Sequence, residues 1–307
     1  MAMSIQTMTT TWISRRAFVA AAGATVCAHW LPQARAAEPL IDIHQHTHYW
    51  GRDDTGLVMH QQALGATKTV LLPGATYDGL EGYIYSNESC LALVKRYPDK
   101  FVMFANETTQ APDARATIEK YLKLGAIGIG EQKFRVESDS PDSQRIAELA
   151  QEYNVPVLLH FQYGKFNTNF ARFERMLQRY PRVNFIGHAQ SVWGNVDLNH
   201  DQSVLYPTGK ITPGGLTDRW LRGYPNFFAD LSAGSGLNSV TRDEEQARGF
   251  FARHQDKLLY GSDCQDIDTK VKECCGIRMI EAIQRLSSPT VARKLLYENA
   301  RRVLKIS

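Results

Sequence analysis

The chain has 307 residues, with 35 Lys and Arg against 32 Asp and Glu. The basic excess of three lies in residues 1–36, which hold Arg15, Arg16 and Arg35 and no acidic residue, so residues 37–307 are neutral. A neutral chain without clustered basic residues argues against nucleic-acid binding, and therefore against a nuclease. These 271 residues are enough for one well-buried domain, because α/β barrels reach about 250 residues undivided.

The first 36 residues carry the features of a twin-arginine export signal. Arg15 and Arg16 precede a mildly apolar run over 17–28, which is too short to span a bilayer. Small residues at 34–36 suit a signal peptidase, so we expect cleavage after residue 36. The predicted organisation is a signal peptide, 1–36, and one mature domain, 37–307. We therefore expect the Tat export machinery to be a partner and the mature protein to be periplasmic or secreted. We expect no stable membrane insertion after cleavage.

Eight short apolar or β-branched runs alternate with helix-like segments along the mature chain. They are Leu40–His44, Thr69–Leu72, Phe101–Ala105, Ala126–Gly130, Val155–His160, Val183–Gly187, Phe227–Leu231 and Leu258–Gly261. Strand and helix repeated eight times predict an α/β fold, a parallel (β/α)8 TIM barrel. The competing doubly wound sheet would place a Gly-rich phosphate turn after the first strand, where His44-Gln45-His46 stands instead.

Two helix starts and one long connection stand out between these runs. Ser140 followed by Pro141 predicts an N-cap with proline at the first helical position. Thr241 with Glu244 predicts a capping box. The connection Gln190–Arg222 is long and rich in Gly, Pro, Asn and Asp, and we interpret it as a loop that covers the substrate; an inert insertion is the alternative. His200 within it is expected to be solvated.

The first run ends in two histidines. Residues i and i+2 of a strand share a face, so the imidazoles of His44 and His46 point the same way. Two neighbouring imidazoles on a rigid strand are half of a zinc-type site. Asp42, two residues earlier, is interpreted as a partner of these ligands or as a cap.

Further polar residues follow the later runs. They are Glu131 after the fourth, His160 after the fifth, His188 after the sixth, Asp230 after the seventh and Asp263 after the eighth. Catalytic residues of a βα barrel lie at the C-terminal ends of its strands. One histidine could be a core residue bonded to a carbonyl, but four histidines and three carboxylates at equivalent levels indicate a single site.

The order Asp-x-His-x-His, His, His and Gly-Ser-Asp resembles the amidohydrolase superfamily of metal-dependent hydrolases. It most resembles the amidohydrolase-related branch, which also includes metal-dependent decarboxylases, and the resemblance covers residues 38–307. It implies that His44, His46 and Asp263 hold one divalent metal. It also implies either that His160 and His188 hold a second, or that His160 completes a one-metal site and His188 serves acid–base chemistry.

Glu131 decides between one metal and two. It matches the carboxylate that bridges two metals in the binuclear branch that includes metal-dependent deoxyribonucleases, whereas one-metal members need no such group. A simple ion pair with Lys133, two residues further on, is the alternative. We favour the bridge, with Lys133 as a substrate anchor and zinc as the preferred metal among several that suit His and carboxylate ligands.

These ligands predict a metal-dependent hydrolase. Metal-bound water with a pKa near 7 supplies a hydroxide that attacks an ester, lactone or amide of a small molecule. Asp263 is the expected proton shuttle to the leaving group, and His188 stabilises the oxyanion if it is not a ligand. Substrate specificity is assigned to Phe134, Tyr163, Trp193 and the long connection.

Two alternatives remain open. A one-metal decarboxylase of aromatic or related carboxylic acids would need Glu131 off the metal and a cationic clamp from Arg135, Lys165 or Arg242. A non-catalytic exported metal-binding protein is the less favoured third hypothesis, because the whole ligand set is retained.

The mature chain has four cysteines, which are Cys90, Cys264, Cys274 and Cys275. We expect four inert thiols, with Cys90 buried on a helix. An oxidising periplasm would permit a disulfide from Cys264 to Cys274 or Cys275, and proximity of Cys264 to the metal is a further alternative.

Overall fold

The computed structural model describes residues 39–75, 83–266 and 274–306. Glu38–Ser307 form one compact unit. The predicted signal peptide lies outside the described residues. Within the described ranges, none of the helices combines the length and the apolar character needed to cross a membrane.

Eight parallel strands lie in the described residues. In chain order they are β1 (Ile41–Gln45), β2 (Lys68–Leu71), β3 (Phe101–Met103), β4 (Ile129–Gln132), β5 (Val157–His160), β6 (Phe185–His188), β7 (Phe227–Asp230) and β8 (Leu258–Leu259). Strands β1–β3 and β4–β8 form two sheets in sequential order. The Ala105 amide donates to Gly128 O and the Ile43 amide donates to Tyr260 O, which joins the sheets at both edges. The strands therefore close into a barrel, and the predicted TIM-barrel fold is confirmed.

Twelve α-helices are found in the same ranges. They are α1 (Asp54–Leu64), α2 (Asn87–Arg96), α3 (Ala114–Lys123), α4 (Pro141–Tyr153), α5 (Glu174–Arg179), α6 (Gln190–Gly194), α7 (Leu216–Gly223), α8 (Ala233–Thr241), α9 (Glu244–Arg253), α10 (Cys275–Leu286), α11 (Pro289–Arg293) and α12 (Asn299–Val303). Short 3-10 segments lie at Tyr49–Gly51 and Phe170–Phe173, and a π-helical segment lies at Lys294–Glu298.

The barrel core explains why polar residues at strand ends point inward. Ile186 on β6 and Phe228 on β7 belong to one buried apolar cluster. Because side chains two residues apart on a strand share a face, His188 and Asp230 lie on the same face as these core residues. The alternation that fills the barrel with apolar side chains therefore also places the polar residues above that core.

The two predicted helix starts have different outcomes. Ser140 caps α4, and its hydroxyl accepts a hydrogen bond from the Ser143 amide at 3.2 Å, with Pro141 at the first turn as expected. The capping box of Thr241 with Glu244 is wrong. Helix α8 continues through Thr241, whose hydroxyl donates to Leu237 O, and Asp243 caps α9 instead.

The long connection is more ordered than the sequence suggests. It contains α6 and α7, so only residues 195–215 between them lack a helix. The Ile211 amide donates to Asp243 at 3.0 Å, which ties this stretch to the start of α9. His200 is half-buried rather than solvated, and burial lowers the pKa of its imidazole.

The cysteines differ from the expectation of four inert thiols. Cys264 and Cys274 form a disulfide with a Cα–Cα distance of 5.9 Å. Spacing alone did not assign this pairing, because the close approach depends on the chain path after β8. Cys90 is buried as expected, and burial raises the pKa of its thiol to about 12. Cys275 forms no disulfide within the described residues.

Candidate metal centre

The structure brings the six predicted ligands together at the C-terminal ends of the barrel strands. We call this set the metal centre; its members are His44, His46, Glu131, His160, His188 and Asp263. All are buried except the Asp263 side chain, which is 12% exposed. Potential ligand atoms lying within 4.8 Å of one another define one group of His44, His46 and Asp263 and another of Glu131, His160 and His188. A third group, His44, His188 and Asp230, overlaps both of these, so the division of the ligands between one metal and two stays a prediction.

The first group presents imidazole Nε2 atoms to a carboxylate. His46 Nε2 lies 3.5 Å and His44 Nε2 lies 3.8 Å from Asp263 Oδ1. His46 Nδ1 donates to Leu72 O at 2.7 Å, so its Nε2 carries the lone pair. A partner on the other ring nitrogen fixes the orientation and the tautomer of a metal-binding histidine.

Two buried atoms of this group have no partner among the described residues. They are His44 Nε2 and Asp263 Oδ1. A buried polar atom left without a hydrogen bond costs roughly 1–3 kcal/mol. One cation bonded to both atoms would remove this cost, and nitrogen with carboxylate oxygen is a donor set that zinc accepts. The residues present therefore fit a divalent metal.

Glu131 lies between the two groups. Its Oε1 is 2.6 Å from His160 Nδ1 and 3.8 Å from His188 Nε2. Its Oε2 is 3.8 Å from His44 Nε2 and 3.7 Å from His46 Nε2. Each carboxylate oxygen thus faces different histidines; Oε1 is directly hydrogen-bonded to His160, and the bridging role stays a prediction.

Protonation in this second group favours metal binding. Burial raises the pKa of Glu131, but interactions with His160 and with the positive charge of Lys133 outweigh it and hold the pKa of the carboxyl well below its usual value. Burial lowers the pKa of His160 to about 4. The pair therefore consists of a carboxylate and a neutral imidazole, which are the forms that bind metals.

Gly130 explains how Glu131 reaches this position. Its φ of 144° lies outside the range that residues with a Cβ adopt readily. A Cβ atom there would approach Leu158 O to 2.6 Å. The glycine thus lets β4 pass close to β5 and turn the Glu131 side chain inward.

Asp230, which the sequence places at the end of the seventh run, contacts histidines of both groups. Its Oδ2 lies 2.6 Å from His44 Nδ1 and 3.4 Å from His188 Nδ1, and Ser232 Oγ donates to it at 2.8 Å. Burial opposes ionisation, but the charge of His44 and the hydrogen bonds outweigh it, so the pKa of Asp230 is lowered. Its position at the end of β7 was the available signal. Asp230 orients one histidine of each group.

Tyr49 and Asp42 complete the surroundings of β1. The Tyr49 ring packs on His46 with ring centres 5.0 Å apart, and burial together with the charges of Asp263 and Glu131 raises the pKa of its phenol. Sequence analysis missed Tyr49 because it follows the strand end in an irregular segment. Asp42 accepts hydrogen bonds from the amides of His44 at 3.0 Å and Ser262 at 2.8 Å, so it fixes backbone and is not a ligand.

Three predicted cationic residues gather around one aromatic ring beside the metal centre. The charged groups of Lys165, Lys133 and Arg135 lie 4.9, 5.6 and 5.9 Å from the centre of the Phe166 ring. That ring meets His160 edge to face, with centres 5.5 Å apart. A positively charged patch therefore adjoins the second group, and we call these three residues the cationic patch.

The other predicted substrate residues have mixed positions. Tyr163 is 54% exposed and lines a cleft of about 270 Å³. Trp193 is placed differently from the expectation: it is buried against Phe250, and its indole donates to Asp230 O at 3.0 Å, so it supports the barrel. Arg242 faces Asp197 at 3.9 Å and is not part of the cationic patch.

Phe134 is buried in a small apolar cluster. It packs there with Ala75 and Val136. Its assignment to substrate specificity is not supported by this environment, because the ring is enclosed by its own neighbours.

The fold and this cluster define a TIM-barrel protein with a candidate centre for divalent metal. The family profile described as amidohydrolase matches residues 41–306, and the chain therefore belongs to the amidohydrolase family. None of the curated proteins matches the chain at a significant level.

Several solved structures share the fold. An uncharacterised TIM-barrel protein from Bordetella bronchiseptica has a TM-score of 0.59 at 18% identity, over 87% of this chain and 98% of that one. A probable 2-pyrone-4,6-dicarboxylic acid hydrolase from Acinetobacter baumannii, with citric acid bound, has a TM-score of 0.58 at 16% identity, over 87% and 99%. The 2,6-dihydroxybenzoate decarboxylase from Rhizobium has a TM-score of 0.54 at 14% identity, over 88% and 99%.

Proposed function

We propose that the protein is a metal-dependent hydrolase of a small ester, lactone or amide. The observation that carries the proposal is the position of Glu131, whose two oxygens face different groups of the metal centre. A carboxylate in this position suits two metals, and two-metal sites suit hydrolysis because both the attacking and the leaving oxygen are stabilised. Zinc is the preferred metal, held by the ligands that the sequence predicts.

Bound metal would lower the pKa of water towards about 7 and polarise the carbonyl of the substrate. The protein residues then position groups and transfer protons. The other oxygen of Asp263, Oδ2, lies 3.8 Å from His188 Nε2; it accepts a proton from the attacking water and passes it to the leaving group. Asp230 holds the rings of His44 and His188 in place.

The cationic patch supports a substrate that carries a carboxylate. Lys133, Arg135 and Lys165 place positive charge next to His160, and Phe166 offers an aromatic face among them. Arg binds carboxylates through paired hydrogen bonds, and Lys binds them as a point charge. The names of two structural neighbours also contain carboxylic acids, a pyrone dicarboxylic acid and a dihydroxybenzoate.

A one-metal decarboxylase of an aromatic acid is the second candidate. The cationic patch is equally consistent with it, because a clamp for a carboxylate serves either reaction. The two candidates differ in the role of Glu131, which would not bind metal in a decarboxylase of this kind.

Metal content tests the proposal. We expect two metals per chain in the wild type by elemental mass spectrometry and one or none in Glu131→Gln. The exposed Glu137 contacts Arg172 at 2.9 Å, so Glu137→Gln is a matched control and should keep two. One metal in all three proteins would remove Glu131 from the site and favour the decarboxylase, and no metal after loading would overturn both.

The reaction products distinguish hydrolysis from decarboxylation. We would incubate the loaded protein with aromatic and lactone carboxylates, including 2-pyrone-4,6-dicarboxylate and 2,6-dihydroxybenzoate. Acid release without carbon dioxide is the expected result. Release of carbon dioxide would contradict the hydrolase and support the alternative.

We also propose export to the periplasm through the twin-arginine pathway, on the evidence of Arg15 and Arg16. Replacing both with lysine should leave the uncleaved protein in the cytoplasm, as cell fractionation would show. An unchanged distribution would contradict this proposal.

A further inference from the structure

A second set of metal-binding residue types lies beside the metal centre and shares no member with it. We call it the sulfur cluster; it consists of His60, Cys264, Asp266 and Cys274. Each offers one ligand atom, and all four atoms lie within 4.8 Å of one another. Helix α1 supplies the histidine and the chain after β8 supplies the rest. The adjacent residue Asp263 belongs to the metal centre, so one segment carries ligand types of both sets.

His60 points to an absent ligand. The residue is fully buried on α1, and its Nε2 has no hydrogen-bond partner in the part of the chain that the structure describes. Nε2 lies 3.9 Å from Asp266 Oδ2, and the Gln61 amide lies 3.3 Å from Nδ1. Gln61 Nε2 faces Nδ1, while Gln61 Oε1 accepts a hydrogen bond from Thr69 Oγ1 at 2.8 Å. A metal on Nε2 needs the proton on Nδ1, and therefore needs the Gln61 amide to turn over so that its oxygen accepts from Nδ1. Burial and the charge of Arg52 lower the pKa of His60 to about 4, so the imidazole is neutral.

The disulfide decides whether the other donors are available. In the oxidised protein Cys264 and Cys274 are bonded to each other. Thiolates are the metal-binding form of cysteine, so this bond removes both sulfur ligands. Breaking it would leave two thiols, one imidazole and one carboxylate in contact distance, a four-donor set of the kind that zinc binds.

We propose that the reduced protein binds a thiophilic divalent metal at the sulfur cluster, and that oxidation of the two thiols releases it. A dithiol reductant gives two electrons and two protons to the S–S bond, which becomes two thiols while the reductant becomes a disulfide. Metal binding then displaces both thiol protons to solvent. A small disulfide such as oxidised glutathione reverses the change by thiol–disulfide exchange.

Charge in this region fits the reduced, metal-bound form. A divalent metal with two thiolates and the Asp266 carboxylate carries one net negative charge. Arg52 is buried beside it and donates from Nη1 to Cys264 O at 3.1 Å and to Asp266 O at 3.3 Å. Its guanidinium would neutralise that charge, as a buried charge requires. Asp266 is 28% exposed, which gives a metal a path from solvent.

Cobalt distinguishes this cluster from the metal centre. The six residues of the metal centre contain no sulfur, so absorption from thiolate-to-cobalt charge transfer reports on cysteine ligands alone. We would reduce the full-length protein with a phosphine, remove the reductant and titrate with Co²⁺. Once the metal centre has been filled with zinc, one further equivalent of Co²⁺ should generate the sulfur-dependent band in reduced protein, and unreduced protein should show none. A reduced protein without this band would overturn the proposal.

Variants identify the ligands. Cys274→Ser should lose the band, and its free neighbour supplies a matched control, Cys275→Ser, which should keep it. His60→Asn retains an atom near the position of Nδ1 and removes Nε2. The cobalt concentration that gives half of the band should rise at least about tenfold, since even loss of an outer partner of a metal ligand lowers metal affinity by that factor. A band that persists unchanged in Cys274→Ser and His60→Asn would overturn the assignment.

A measurement on the wild type alone guards against variants that fail to fold. Oxidised glutathione added to the cobalt-loaded reduced protein should abolish the band and release one equivalent of cobalt to a colorimetric chelator. Retention of the cobalt after the disulfide has formed, shown by loss of free thiols, would contradict the proposal. None of these readouts depends on the hydrolase activity.

Discussion

The metal centre and the sulfur cluster take adjacent residues, Asp263 and Cys264, from one peptide segment, and they differ in how their donors are supported. In the metal centre, His46 is fixed by Leu72 O and His44 by Asp230, so the donors are positioned before any ligand arrives. In the sulfur cluster, the disulfide consumes two of the four donors and leaves the imidazole of His60 and the carboxylate of Asp266. The donors of the first set are preorganised, whereas those of the second depend on whether the disulfide is formed. Proximity of donors alone therefore does not define a catalytic site; the hydrogen bonds behind the ligands do.

The largest effect should come from Asp263, which belongs to the metal centre. Asp263→Asn removes both a ligand charge and the proton acceptor, and we expect kcat/KM to fall by roughly 10²–10⁴-fold. Asp256 pairs with Lys294 at the surface, so Asp256→Asn is the matched control and should keep normal rates. Steady-state kinetics on a hydrolysed substrate would check this. Equal rates in the two variants would remove Asp263 from the mechanism.

The next effect concerns stability in the oxidised protein. The Cys264–Cys274 bond closes a loop with a sequence separation of 10. Loop-closure entropy for this length gives a stabilisation of about 2.5 kcal/mol. Cys274→Ser should therefore lower the free energy of unfolding in urea by that order, whereas Cys275→Ser should change it little. If both lower it equally, the disulfide would not be the stabilising element.

Variants of Asp230 and Asp218 distinguish an effect on the positioning of metal ligands from an effect on stability. Asp230→Asn keeps the shape but removes the charge that orients His44 and His188, and metal affinity should fall about 10–100-fold. Asp218 forms an equally buried contact with His254, at 2.6 Å, away from the metal centre. Asp218→Asn should lower stability and leave metal affinity unchanged. Competition with a metal chelator measures the affinity, and equal losses in both variants would contradict the positioning role.

The sequence could predict the fold because each strand is marked by its own apolar residues and by the polar residue at its end. Ile186 and His188 illustrate this, since the same two-residue period that buries one residue in the barrel directs the other into the site. The strand ends therefore indicated the metal centre before any contact was known. Alternation within a strand can be read from neighbouring residues alone. A barrel then places the C-terminal ends of all its strands at one rim, so the residues that follow the strands lie together.

Contacts across the barrel were not predictable in this way. Asp230 meets His44 over a separation of 186 residues, and only closure of the barrel brings them together. The disulfide likewise depends on the chain path after β8, and the spacing of the cysteines left the partner of Cys264 open. Trp193 was assigned to the substrate from its place in a long connection, but that part of the connection is helix α6, which packs the indole inward.

The last prediction tests His60 in oxidised, metal-free protein. Its folded pKa is lowered to about 4 by burial and by Arg52, against an ordinary value of 6.5, while Asp266 opposes the shift only from 3.9 Å. Between these two pH values the unfolded chain binds more protons than the folded one, so stability rises with pH, by up to about 1.4 kcal/mol per pH unit from one group. Below pH 4 His60 is protonated in both the folded and the unfolded chain, so its contribution to the free energy of unfolding no longer changes with pH.

His60→Asn removes this titration, so its free energy of unfolding should depend less steeply on pH between about 4 and 6.5 than that of the wild type. Urea unfolding followed by circular dichroism at several pH values, with a chelator present, measures both slopes. Identical slopes would mean that His60 is protonated as readily in the folded chain as in the unfolded one. Its Nε2 would then have a partner, and the contrast between a preorganised metal centre and a sulfur cluster that retains one available imidazole would fail.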